Sequence, residues 1–126
     1  MNNPYRILNF VRGGQMGGSQ KQLLYLVEGL DRKRYVPSFV CGQDGPFVNA
    51  LRQYGDVHIL VMPSWRTLKG LLFRRAAVAQ LTRIIRENNI SLLHCSDVWL
   101  NPYMVAAAKQ CCLHSIAHVR APLADR

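Results

Sequence analysis

Four of the six residues from Gly13 to Gly18 are glycine, and they stand between an apolar run, Tyr5 to Val11, and a helix-patterned stretch, Ser19 to Leu30. A strand that turns through glycines into a helix can aim backbone N–H groups at an anion, with the positive end of the helix dipole behind them. The spacing G-G-x-x-G-G departs from the G-x-G-x-x-G dinucleotide fingerprint, and Ser19 stands where a Walker loop needs lysine. Both common phosphate loops are therefore disfavoured. The plainer alternative is a tight connection in which glycine only supplies positive φ. Four glycines exceed what one turn needs, which favours a ligand at Gly13, Gly14, Gly17 and Gly18.

Strand and helix signals alternate along the rest of the chain. A first strand is expected at about Arg6–Val11, and a helix opening on the capping box Ser19 and Gln22 follows it. A second strand, about Val36–Cys41, is interrupted early by Pro37; a short helix, Phe47–Tyr54, ends at Gly55; and a third strand covers Val57–Val61. From about Thr67 to Asn88 a long helix gathers Leu71, Phe73, Ala77, Val78, Leu81, Ile84 and Ile85 on one face. Lys69, Arg75, Gln80, Arg83, Arg86 and Glu87 fall on the other. Ser91–Cys95, Pro102–Gln110 and Ser115–Val119 read as strand, helix and strand. Short strands separated by helices predict an α/β protein: a Rossmann-like, doubly wound parallel sheet of about five strands with helices on both faces. The chain stops seven residues past the fifth strand with no covering helix, so the sheet is expected to be incomplete at its C-terminal end and the chain to be a piece of something longer.

Charge bounds the partners. Sixteen Lys and Arg against seven Asp and Glu give a net charge of +9, which suits phosphates, acidic lipid headgroups or nucleic acid. Aromatic residues are scattered and no nucleic-acid motif is present, so no nucleic-acid partner is expected. No apolar run approaches the roughly 18 residues of a membrane span, and the first residues lack a signal-peptide layout. A cytoplasmic setting is expected. The four cysteines show neither metal-ligand spacing nor C-x-x-C, so reduced thiols, no disulfide and no metal are expected. His94 and Cys95 are strand neighbours pointing to opposite faces, which rules them out as a nucleophile pair.

In a parallel sheet ligands collect at the carboxyl ends of the strands. Arg12, Asp97, His118 and Arg120 fall at such ends. The two arginines can pair with a phosphate, His118 can handle a proton or bind a hydroxyl, and Asp97 can orient a sugar hydroxyl. Each has a structural rival: solvated arginines, a histidine satisfied within the fold, and an ordinary N-cap aspartate. Trp65 and Trp99 read as packing residues. At the start of the long helix, Leu68 and Leu72 fall beside Lys69 and Arg75, a mixture that suits an interfacial membrane contact as well as a solvated basic face.

Arg6-Ile-Leu-Asn-Phe-Val11, the run Met16 to Leu30, Leu92-Leu-His-Cys-Ser-Asp97 and Ser115-Ile-Ala-His-Val-Arg120, in this order, resemble the N-terminal domain of GT-B glycosyltransferases of the family 4 type. The resemblance implies a retaining enzyme that moves a sugar from a nucleotide-sugar donor to an acceptor, with no metal or other cofactor. Residues 1–126 would then be its acceptor-side domain, cut short, with the C-terminal nucleotide-sugar domain absent and the chain alone inactive. Carried across, Gly17 and Gly18 would approach the donor diphosphate or acceptor, and His118 would be the catalytic residue at the transferred sugar. Ser96 stands where relatives often carry a second histidine. The implied acceptors include lipid-linked or cell-envelope glycans, and with them a peripheral place on an anionic membrane surface. Self-association through the bare sheet flank is a further expectation. The rival function is a non-catalytic Rossmann-like module that holds a phosphorylated ligand at the glycine loop.

Overall fold

The computed structural model describes residues 4–13, 18–64, 68–95 and 97–118. Its strands are β1 (Tyr5–Val11), β2 (Tyr35–Cys41), β3 (Val57–Ile59), β4 (Leu92–Cys95) and β5 (His114–Ala117). The helices between them are α1 (Gly18–Glu28), α2 (Pro46–Leu51), α3 (Leu68–Glu87) and α4 (Asn101–Cys111), and a 3-10 turn at Val98–Leu100 leads into α4. All pairings are parallel, in the order β3-β2-β1-β4-β5. The Rossmann-like expectation holds. Winding reverses between β1 and β4, which makes their carboxyl ends the switch point of the sheet.

The alternation of each strand decides what covers it. Leu8, Phe10, Val40, Leu93 and Cys95 pack with α3 and α4, through Ala77, Val78, Leu81, Ile85, Tyr103, Met104 and Ala107. The opposite face presents Val11, Phe39 and Cys41 to Leu23 and Val27 of α1 and to Phe47, Val48 and Leu51 of α2. Asn9 breaks this apolar pattern, lying buried between Leu8 and Phe10 on β1.

Pro37 does not interrupt β2. The N–H of Phe39 donates to the Asp56 carbonyl at 2.8 Å, and Pro37, two residues earlier, faces the same side below the point where β3 begins to pair. Its missing N–H therefore removes no ladder bond. At Gly55 a Cβ would fall 2.1 Å from the Pro37 carbonyl oxygen, so the entry into β3 closes on β2 only with glycine there.

Several boundaries differ from expectation. The first helix already includes Gly18, which puts Ser19 inside its first turn instead of at the cap. The second helix stops at Leu51 and continues as turns to Gly55. Along α3, Ala77, Val78, Leu81 and Ile85 are buried as the periodicity requires, but Phe73 is 55% exposed. Its side of the helix is the expected one; β3, a three-residue edge strand, does not reach far enough to cover it. What remains is an open groove lined by Ile59, Val61, Pro63, Phe73, Ala76 and Gln80. At the other edge β5 pairs only with β4, and all its residues are exposed.

Candidate functional site

Each strand delivers the residue that follows it to the same edge of the sheet. Beyond β1 stand Arg12 and Gly13, beyond β2 Gly42 and Gln43, beyond β3 Val61 and Met62, beyond β4 Asp97, and beyond β5 His118. A cleft of about 430 Å³ opens there, lined by Arg12, Gly42, Gln43, Val61, Met62, Ser64, Trp99 and Leu100. Its floor requires glycine: the Gly42 N–H donates to the Val11 carbonyl at 3.0 Å, and a Cβ at Gly42 would sit 2.7 Å from the Arg12 carbonyl oxygen. Its far wall is anchored by Tyr103, fully buried, whose hydroxyl donates to the Pro63 carbonyl.

Arg12 and Trp99 form the mouth of the cleft. The Arg12 guanidinium lies over the indole, 5.7 Å from the ring centroid, and Trp99 is 55% exposed. Cation and π-face attract one another in this geometry. Trp99 is therefore not the packing residue that its apolar character suggested. Asp97 holds it in place: its Oδ1 accepts the Trp99 N–H at 2.9 Å, and its carbonyl accepts the Leu100 N–H at 3.1 Å. That is capping of the 3-10 turn, the structural role weighed for Asp97, and Asp97 is not among the described lining residues.

His118 stands on the other side of the switch point. Its N–H donates to the Cys95 carbonyl at 2.7 Å, carrying the β4–β5 ladder one residue further, and its exposed ring lies 6.1 Å from that of His94. His94 Nδ1 is 3.0 Å from Asn9 Oδ1, and Asn9 Nδ2 donates to the Ser38 carbonyl at 3.0 Å. Polar side chains of β1, β4 and the residue after β5 thus form a row on the face that carries α1, tied to a backbone carbonyl of β2. Sequence reasoning weighed His94 only against Cys95 and passed over it. Cys95 does point the other way, into the α3–α4 core, where burial pushes its thiol up to about 12; burial does the same for Cys41. Neither is a nucleophile at neutral pH.

The glycines divide. Gly13 directly follows Arg12 and does not have positive φ, and an added Cβ there would meet only the Gln43 Oε1, at 3.9 Å. Neither strain nor crowding demands glycine at this position. Gly18 opens α1. Gly14, Gly17 and Arg120, along with Trp65 and Ser96, lie outside the described residues. The end of β1, from which the glycine run leaves, lies at the same edge as His118, with one strand of the sheet, β4, between them. Among the described residues no three His, Cys, Asp or Glu side chains cluster in a way that could hold a metal ion.

The fold is shared with proteins of different chemistry. It superposes on a glycosyltransferase from Rickettsia africae with a TM-score of 0.69 and 19% identity, over 92% of this chain and 30% of that one. It also superposes on the C-terminal domain of a hydrogenase from Pyrococcus furiosus with a TM-score of 0.56 and 11% identity, over 94% of each. Frame alone therefore does not choose a function. The family model for Glycosyltransferase Family 4, however, matches residues 16–122. The chain belongs to Glycosyltransferase Family 4. The match takes in every part of the site after Arg12 and Gly13, from the α1 entry to His118. No curated protein matches the chain. The chain spans about a third of the length of the Rickettsia glycosyltransferase.

Proposed function

We propose that this Family 4 chain is the acceptor-side part of a retaining glycosyltransferase that transfers a sugar from a nucleotide-sugar donor. The observation that carries the proposal is the cleft at the carboxyl edge of the sheet, lined by the guanidinium-bearing Arg12 and by Trp99, in a chain that matches the family from residue 16 to 122. Arg12 offers a fixed charge to a diphosphate oxygen, its planar fork suiting two oxygens at once. The exposed Trp99 offers a flat apolar face to a sugar ring or base. His118, at the far side of the same edge, is the group that meets the transferred sugar.

The acceptor proposed is lipid-linked, and the place of work is the cytoplasmic face of an anionic membrane. Leu68 and Leu72, 83% and 79% exposed, project from the first turns of α3, with Arg75 exposed nearby, in a chain of net charge +9. No described helix is long and apolar enough to cross a membrane.

Thermal melts of the gene product against a panel of nucleotide sugars test the donor reading: the correct donor raises the midpoint by mass action, by about 2.7 kcal/mol of stability at a hundred times its Kd. In a turnover assay the 126-residue chain alone is expected to transfer no sugar. Transfer by the isolated chain would overturn its assignment as one part of a two-part enzyme. Binding of phosphorylated ligands of every kind, without preference for nucleotide sugars, would favour the non-catalytic module instead.

A further inference from the structure

We infer that Asn9 is a positioning residue that fixes the tautomer of His94, making His94 Nε2 an obligate hydrogen-bond acceptor at the sheet edge beside His118. Asn9 is 4% exposed, and its side chain bridges two strands. On one side it faces the Ser38 carbonyl, which can only accept, so the group 3.0 Å away must be the amide NH2. The flipped amide would set two oxygens against each other in a buried site, at a cost of about 1–3 kcal/mol or more. Oδ1 is thereby turned toward β4, where the parallel register sets Asn9 opposite His94.

An amide oxygen can only accept, so His94 Nδ1, 3.0 Å away, must carry the proton. A neutral imidazole has one such proton. Nε2 then carries no proton, and any hydrogen bond it makes is one it receives. Ser38 is itself tied down, its Oγ donating to the Ile7 carbonyl at 3.1 Å, so the row rests on backbone at its far end. The His118 ring, 6.1 Å from that of His94, places a second imidazole at the same spot. A hydroxyl of the sugar that the proposed transfer supplies can meet His94 Nε2 only as a donor. The inference depends on that proposal only for the identity of this hydroxyl.

The test reads the tautomer directly, in the ligand-free chain. Long-range ¹H–¹⁵N correlation spectra of the 126-residue protein, taken well above the usual histidine pKa of about 6.5 so that the ring is neutral, distinguish a protonated Nδ1 from a protonated Nε2 at His94. The expected result is a single Nδ1–H tautomer, with Asn9→Leu giving a mixture of both. A His94 ring protonated at Nε2 in the unsubstituted protein overturns the inference, as does a variant that folds and keeps a pure Nδ1–H ring. If Asn9→Leu does not fold, the unsubstituted spectrum decides alone. Failure of nucleotide sugars to bind would leave this spectrum unchanged and would count against the proposed function only.

Discussion

The Arg12 guanidinium covers the Trp99 ring at 5.7 Å from its centroid, joining the end of the first strand to the turn that follows the fourth. About two-thirds of the chain separates the two residues, and the β1–β4 pairing brings them together. A double-mutant cycle with Arg12→Ala and Trp99→Ala is expected to give a coupling of about 0.5–1 kcal/mol by urea denaturation, the range for an exposed cation–π pair. Arg12→Ala should also shift the tryptophan emission. No coupling and no shift would mean that the contact does not persist in solution.

Gly42 and Gly13 lie at the same edge and should respond differently to alanine. At Gly42 the new methyl meets the Arg12 backbone at 2.7 Å, and backbone cannot step aside cheaply. Gly42→Ala is expected to cost on the order of 1–3 kcal/mol. Gly13→Ala meets only a flexible side chain at 3.9 Å and no positive φ, so stability should stay within about 0.5 kcal/mol. Any loss of nucleotide-sugar affinity in Gly13→Ala would then report close approach of a ligand to the backbone, not damage to the fold. Equal stability losses in the two variants would contradict the packing described.

The buried thiols set a pH dependence. Cys41 and Cys95 titrate at about 12 in the folded protein, against 9.0 as their ordinary value. Their folded values are raised, so the contribution is fully present below pH 9.0 and is lost as pH climbs from there toward 12. In that window the unfolded chain has released protons that the folded chain keeps, so stability falls by at most about 1.4 kcal/mol per pH unit for each thiol. Denaturant melts between pH 8 and pH 11 check the slope, and Cys41→Ser with Cys95→Ser should flatten it. A thiol reagent at neutral pH should modify the exposed Cys112 first, then the half-buried Cys111, and leave the other two untouched until the chain unfolds.

Leu68 and Leu72 can be changed without touching the core, since 83% and 79% of their surface is already in water. Leu68→Ser with Leu72→Ser is expected to leave the melting temperature within a degree or two and to reduce sedimentation with vesicles containing anionic lipid several-fold. Unchanged vesicle binding would remove this helix from the membrane contact. Loss of binding in high salt, with both leucines present, would show that charge contributes as well.

Much of the fold was legible because its signals are local. Leu23 and Val27 at helical spacing, the alternation of Leu8 and Phe10 with their neighbours, and the run from Ala77 to Ile85 each name their buried face without reference to distant chain. The site was less legible because its contacts are not local. His94 was compared with its neighbour Cys95, but its partner is Asn9, 85 residues away, and the register that aligns them depends on β4 lying next to β1. One clue was present: an asparagine inside the apolar run Leu8-Asn9-Phe10 must find a partner if that strand is central. Trp99 was misjudged for a related reason. Its exposure follows from the 3-10 turn capped by Asp97, and such a turn leaves no periodic trace. Phe73 failed in the opposite sense, since its periodicity was right but the sheet beside it was too narrow.

The central position of β1 carries a consequence for how the site comes into being. Arg12, Gly42 and Val61 arrive with the first three strands, whereas Trp99, His94 and His118 arrive only after α3 has crossed and β4 has docked. Half of this edge is thus contributed by a late-joining piece of the polypeptide. A nascent or partly opened molecule that retains β1, β2 and β3 would have an arginine without its indole and an asparagine without its imidazole. Recognition of substrate would therefore double as a check that the sheet has been completed.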